Sequence, residues 1–225
     1  MRRGVFRGLR KGWMSQQTLG RKTAANGQYF AVEPASPDKR RIVEVSLRGR
    51  GVRLETSHGV FCGGGLDRGT AVLLRHVPSP PKTGVFLDLG CGWGPIAIAM
   101  ALESPHADVW AVDVNERAMS LTASNARRCG AGNVHAVVDR GLPVGLRFDL
   151  MWSNPPIRIG KDALHALLGE YLPRLSEDGM AYFVVQHHLG SDSLMAWINH
   201  DLDGFQASRY ASSKGYRVLK VVREC

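Results

Sequence analysis

From residue 84 onward, apolar runs of strand length alternate with segments whose apolar positions recur at helical spacing. The runs are 85–90, 108–114, 134–139, 148–156 and 180–186, and the helical segments are 95–104, 116–130, 162–175 and 192–202. Strands alternating with helices predict a parallel sheet covered by helices on both faces. Two further apolar runs, 205–211 and 216–224, are separated only by Ser212-Ser213-Lys214-Gly215, and so short a connection forces an antiparallel pair. Upstream, 42–47 and 52–56 alternate around Arg48-Gly49-Arg50-Gly51, the pattern of a β-hairpin. A glycine-rich loop follows, then a helix from Thr70 to His76. Residues 1–40 mix Arg, Lys, Gly, Ser and Pro with little periodicity. The expected organisation is a basic N-terminal arm (1–40) and an α/β domain (41–225), made of the hairpin 42–57 and a core 84–225.

Composition narrows the class. The 225 residues suit one sizeable domain with a modest extension, and no apolar run approaches the roughly 20 residues needed to span a bilayer. A net charge of +9 suits a polyanionic partner, RNA or DNA first, and charge alone leaves a plain solvated basic face as an equal alternative. Cys62, Cys91, Cys129 and Cys225 are scattered without C-x-x-C spacing. That argues against a zinc site and a disulfide framework, and for a reducing, cytoplasmic compartment. The adjacent His187 and His188 sit at a strand end and point to opposite faces, so no metal is expected there. The first 13 residues are basic but lack the apolar segment of a signal peptide. Three readings of them stand: a transit peptide, a start at Met14, or an arm that grips phosphate.

Two stretches carry candidate chemistry. Gly90, Gly92 and Gly94 lie where the first core strand meets the first core helix, and Pro95 suits the first helical position. Asp113 ends the next strand, where a carboxylate binds ribose hydroxyls, and Asp139 ends the third, placed to accept from an adenine amino group. The ligand expected is a nucleoside cofactor. The spacing G-x-G-x-G departs from the dinucleotide pattern G-x-G-x-x-G. Asp88, just before the glycines, would repel a pyrophosphate and attract a sulfonium amino acid. The second stretch is Ser153-Asn154-Pro155-Pro156-Ile157-Arg158 at another strand end. Consecutive prolines donate no N–H and hold their neighbours extended, which predicts a stiff, straight bracket with free carbonyls. The plainer reading is a turn.

The motifs DLGCGWG, AVDVNERA and SNPPIRIGK, preceded by GVFCGGGLDRGTAVLL, resemble the class I S-adenosylmethionine methyltransferases. Within that class they are similar to the methyltransferase small family, which includes ribosomal small-subunit guanine methyltransferases. The resemblance runs from about residue 28 to 225. It implies a three-layer, Rossmann-like α/β fold with a seven-stranded, mostly parallel sheet and an antiparallel final strand. It also implies S-adenosylmethionine as cofactor, held by Asp88, Gly90, Cys91, Gly92, Gly94, Asp113, Val114 and Asp139, with Thr70 and Asn154 beside them. Asp67, Gly69 and Thr70 match the segment that closes over the methionine end of the cofactor, although Thr70 also suits an N-cap.

The acceptor site implied is Asn154, Pro155, Pro156 and Ile157. There the Asn154 side-chain oxygen and the Pro155 carbonyl would each accept one N–H of an exocyclic amine and aim its lone pair at the methyl group. Ile157 stands where adenine- and glutamine-methylating relatives carry an aromatic residue, which favours guanine in RNA, small-subunit rRNA first. Phe61 or Trp152 would then cover a flipped base, with core packing the alternative for both. Arg158 and Lys161 lie where a phosphate would pass. Competing functions are methylation of adenine or of a protein glutamine, and a silent RNA-binding domain. Cys62 replaces the family's usual serine and Trp93 its tyrosine or threonine. Larger members carry a second, degenerate domain copy, for which the basic arm at 2–22 would substitute on RNA.

Overall fold

A computed structural model describes residues 36–61 and 64–224, so the arm at 2–22, Cys62 and Cys225 lie outside the described residues. The hairpin consists of β1 (Arg40–Leu47) and β2 (Arg50–Ser57). Its turn is two residues long, with φ +49° at Arg48 and +85° at Gly49, the type I′ geometry that matches strand twist. The pattern had suggested a wider turn, so both strands are longer than expected. The Arg48 side chain donates to the carbonyls of Leu74 and Val77, at the end of α1 (Arg68–His76), and pairs with Glu103 at 2.5 Å. Asn125 makes a second tie, accepting from Glu55 N and donating to the Glu55 and Trp93 carbonyls.

The rest of the chain runs β3 (Thr83–Leu89), α2 (Pro95–Glu103), β4 (His106–Asp113), α3 (Glu116–Arg128), β5 (Val134–Val138), β6 (Phe148–Ser153), α4 (Lys161–Tyr171), β7 (Leu175–Gln186), α5 (Ser191–Asp201), β8 (Phe205–Ser213) and β9 (Tyr216–Arg223). These seven strands form one sheet in the order β5-β4-β3-β6-β7-β9-β8. The pairs among β5, β4, β3, β6 and β7 are parallel, and β9 runs antiparallel to both of its neighbours. One core joins the hairpin, α1, α2 and α3 to one sheet face, and a second joins α4 and α5 to the other. The layered α/β expectation holds.

The boundaries differ where local signals mislead. The helix 162–175 ends at Tyr171, because Pro173 cannot supply a helical N–H. β7 begins at Leu175 rather than Met180: the polar Ser176, Glu177 and Asp178 fall outside the apolar run, yet pairing to β6 passes across them with a register shift. Asp139 opens a short 3-10 turn one residue beyond β5. Asp67, not Thr70, is the N-cap of α1.

The topology fixes the site. From β3 the chain extends to β4 and β5 on one side and to β6 and β7 on the other. The carboxyl ends of β3 and β6 therefore flank the point where strand order reverses, the place where open α/β sheets bind ligands.

Candidate active site

The glycine turn leaves β3 with φ of +77° at Gly90 and +57° at Gly92, conformations that exclude a side chain without strain. Gly90 and Cys91 donate to the Val112 carbonyl at the end of β4, at 2.8 and 3.0 Å. Gly92 N donates to Asp113 Oδ2 at 3.0 Å, and Asn115 N to Asp113 Oδ1 at 3.0 Å. The turn and the carboxylate thus hold each other in place. Each Asp113 oxygen has a second lone pair for a hydroxyl. A cavity of about 350 Å³ opens here, within the range of small-molecule sites. Gly90, Gly92, Asp113 and Val114 line it together with the Asn-Pro-Pro-Ile bracket and Arg158. A Cβ on Gly90 would stand 3.8 Å from Pro156 Cδ, so the two motifs face each other.

Five expected cofactor residues do not line this cavity: Asp88, Cys91, Gly94, Asp139 and Thr70, whose hydroxyl lies behind the wall and takes the Asn154 amide nitrogen. Asp88 is fully buried, and its Oδ2 accepts from Ala97 N at 2.9 Å. Gly94 is the N-cap of α2 and offers no side-chain cap, so Asp88 supplies the acceptor from the neighbouring strand. Gly94 itself makes room for Thr122, which a Cβ there would approach to 2.9 Å. Cys91 is buried with Sγ 3.6 Å from Thr122 Oγ1. Asp139 instead accepts from the buried Tyr171 hydroxyl, and Tyr171 is the residue that reaches the cavity. Burial and the Asp139 carboxylate push the Tyr171 phenol up, so it stays a donor.

Burial pushes the Asp88 carboxyl up to about 8, against the Ala97 N–H that favours its charge and with the nearby Asp113 charge raising it further. The folded-state value lies above the ordinary 3.8, so the folded state holds the proton more tightly. Its stabilising effect is fully present below pH 3.8 and is lost as pH rises through about 8. The unliganded protein should therefore melt higher at pH 6 than at pH 9, and Asp88→Asn should shrink that difference in a thermal melt. An undiminished difference would place the titration elsewhere.

The bracket also differs from its expected shape. Ile157 N donates to the Pro155 carbonyl at 2.8 Å across Pro156, whose φ of −75° and ψ of 68° are those of an inverse γ-turn. The Pro155 carbonyl is thus half-used and retains one lone pair, in place of the free acceptor expected. Asn154 is held by its amide nitrogen, which donates to Asp67 Oδ2 at 2.8 Å and Thr70 Oγ1 at 3.1 Å. Among the described residues nothing donates to its Oδ1. Ser153 Oγ donates to the Leu89 carbonyl at 2.5 Å and ties the end of β6 to the end of β3.

Of the aromatic candidates, Phe61 lines the cavity and is 41% exposed, whereas Trp152 is fully buried under Arg48 and belongs to the core. Arg158 stands exposed at the rim. Lys161 is exposed at the start of α4 and does not line the cavity. His187 and His188 form no metal group, and none occurs among the described residues. Asn115 was missed. Its Nδ2 donates to the Gly59 carbonyl at 2.9 Å and thereby anchors the loop that carries Phe61 to the strand end that carries Asp113. Its position before Glu116, as the N-cap of α3, was a readable signal. Tyr171 and Tyr216, which also line the cavity, arrive from distant segments and carried none.

The methyltransferase small domain family matches residues 51–220. The chain belongs to this family. Its cofactor is S-adenosylmethionine. The residues of this methyltransferase fit that group: Asp113 offers lone pairs for the ribose, and a Cβ placed on Gly92 would meet no atom within 4 Å, leaving room against the backbone. YbxB of Bacillus subtilis (strain 168), an uncharacterized protein, is 28% identical over 195 residues, 85% of this chain and 96% of its own length. Ribosomal RNA small subunit methyltransferase C of Pseudomonas syringae pv. tomato is 40% identical over 107 residues, 45% of this chain and 30% of its own length. Ribosomal RNA large subunit methyltransferase G of Pseudomonas fluorescens is 32% identical over 153 residues, 64% and 41% respectively. The chain thus spans less than half of each of these two rRNA enzymes. Among solved structures, the T. thermophilus 16S rRNA N2 G1207 methyltransferase RsmC, in complex with AdoMet and guanosine, has a TM-score of 0.70 at 23% identity, covering 84% of this chain and 52% of its own. That likeness shows the fold. No helix among the described residues is long and apolar enough to cross a membrane.

Proposed function

We propose that this methyltransferase transfers a methyl group to the exocyclic amino group of a guanine in RNA, small-subunit rRNA first. When bound, S-adenosylmethionine supplies an electrophilic methyl carbon and leaves as a neutral thioether. An amine nitrogen held here would gain the methyl group in place of one proton, which it would give up to water. An exocyclic amine is a poor nucleophile because its lone pair is delocalised into the ring. The Asn154 Oδ1 would take one amine N–H and the remaining lone pair of the Pro155 carbonyl the other, drawing the nitrogen towards a pyramidal shape. No strong base is required, so catalysis rests on orientation and placed dipoles. Asp113 and the backbone at Gly90 and Gly92 would hold the cofactor, and Arg158 would meet a phosphate of the substrate.

The observation that carries this reading is the Asn154 amide, held by its nitrogen with its oxygen unused at the wall of the same cavity that Asp113 lines. The substrate class draws support from the named rRNA enzymes among the relatives. Guanine draws support from Ile157, which gives no aromatic surface at the bracket, while Phe61 on the wall of the same cavity offers a surface on which a flipped base would stack. Phe61→Ala should raise KM for RNA by roughly 10-fold, the weight of one lost base–aromatic stack, with cofactor affinity unchanged. Steady-state kinetics with separately varied substrates checks this, and an unchanged KM would remove Phe61 from the acceptor site. The reading itself is tested by incubating the protein with labelled S-adenosylmethionine and undermethylated 30S or 50S rRNA. Label in a 16S guanine base supports it, label in 23S rRNA moves the substrate to the large subunit, and label in adenine overturns the base assignment.

A further inference from the structure

An asparagine amide can be turned over at almost no cost in shape, and a turned amide would present two N–H donors where the proposed chemistry needs an acceptor. We propose that Asp67 is a positioning residue that sets which face of the Asn154 amide meets the methyl acceptor. This rests on the role given above to Asn154. One oxygen of Asp67, Oδ2, accepts three N–H groups: Gly69 N at 2.7 Å, Thr70 N at 3.1 Å and Asn154 Nδ2 at 2.8 Å. The two backbone donors belong to the first turn of α1 and pin the carboxylate as its N-cap. A carboxylate oxygen only accepts, so the group that meets it must be the amide nitrogen. The Thr70 hydroxyl oxygen takes the amide nitrogen as well, at 3.1 Å, which gives each of the two amide hydrogens an acceptor. Turning the amide over would bring Oδ1 against the Asp67 oxygen with no proton between them. The network, rather than the shape of the side chain, assigns the orientation.

Gly69 is part of the same device. It is buried inside α1 and does not adopt positive φ, so its backbone does not demand glycine. A Cβ there would stand 2.9 Å from Asp67 Oδ2 and 3.3 Å from Asn154 Nδ2. The Tyr216 ring would stand 3.1 Å away as well, so a side chain at 69 would crowd the carboxylate, the ring and the amide together and force a shift at their contact. Asp67, which itself lines the cavity, thus acts on its acceptor side with Gly69 making room for the contact.

Three variants of the full chain test this. Asp67→Ser keeps an N-cap but is too short to reach Asn154. Asp67→Asn keeps an acceptor oxygen in place. Gly69→Ala crowds the contact without removing a group and favours the helix, so it serves if Asp67→Ser does not fold. The first readout needs no substrate: the side-chain amide protons of Asn154 in an NMR spectrum of asparagine-labelled protein. They should lose their protection from solvent exchange in Asp67→Ser and Gly69→Ala, and keep it in Asp67→Asn. The second is kinetic: kcat should fall roughly 10–100-fold in Asp67→Ser, the cost of a misplaced group, and recover in Asp67→Asn, with cofactor affinity and melting temperature near wild type. Unchanged amide protons in Asp67→Ser and Gly69→Ala would overturn the proposal. So would a fall in kcat matched by equal losses of cofactor affinity and stability. If wild-type protein methylates no RNA, the function above fails, while the amide protons still decide the role of Asp67.

Discussion

Asn154→Ala should lower the rate of methyl transfer by roughly 10²–10³-fold, the usual cost of removing one preorganised hydrogen-bonding group from a site of developing charge. Cofactor affinity should hold within about twofold of wild type, because a group that acts on the acceptor in the transition state leaves cofactor binding almost untouched. The geometry separates the two roles. Among the described residues the Asn154 side chain bonds to Asp67 and Thr70 alone, while the glycine turn is held by Val112 and Asp113. Single-turnover kinetics for the rate and calorimetry for the affinity check both halves. A large loss of cofactor affinity would instead assign Asn154 to the cofactor, the other role its family resemblance implies. The fold should survive, since the removed amide is half-buried and its partners Asp67 and Thr70 keep the α1 cap between them.

The second large effect is expected at Asp113. Asp113→Ala should raise the cofactor dissociation constant by about 100-fold or more, because hydrogen bonds to a charged group contribute about 1.5–3 kcal/mol each. The variant also releases Gly92 N and Asn115 N, so the turn that faces the ligand loosens with it. Asp113→Asn separates these contributions. It keeps the size of the side chain and one acceptor oxygen, and should lose affinity by about tenfold. Asn115 anchors the loop bearing Phe61, so Asp113→Ala should also weaken RNA binding, and Asp113→Asn far less. Equal affinity for cofactor in wild type and Asp113→Ala would remove this carboxylate from the cofactor site.

Much of this site was readable because the two motifs announce themselves by residues that tolerate few structures. Glycines at 90 and 92 need positive φ, and Asn-Pro-Pro after an apolar run marks a strand end. The alternation of runs then brings both to the carboxyl edge of one sheet, and adjacency of β3 and β6 makes them neighbours. What the sequence hides is direction. Asp88 and Asp113 both precede a turn, yet one carboxyl points under α2 and the other into the cavity. Position at a strand end does not reveal which. The Pro155 carbonyl looked free because prolines donate nothing, but Ile157, two residues on, donates back across Pro156. Trp152 and Phe61 carry the same aromatic signal, and only burial distinguishes core from cavity wall. Asp139 meets Tyr171 through the packing of α4, a pairing that spacing along the chain cannot show.

The central claim, methylation of a guanine amino group in rRNA, is tested most directly by nucleoside mass analysis of 16S and 23S rRNA from cells lacking this protein, complemented with wild type or with Asn154→Ala. The account predicts loss of one guanine base methylation from 16S rRNA, restored by wild type and not by the variant. A lost adenine methylation, or rRNA indistinguishable from that of the parent strain, would contradict it.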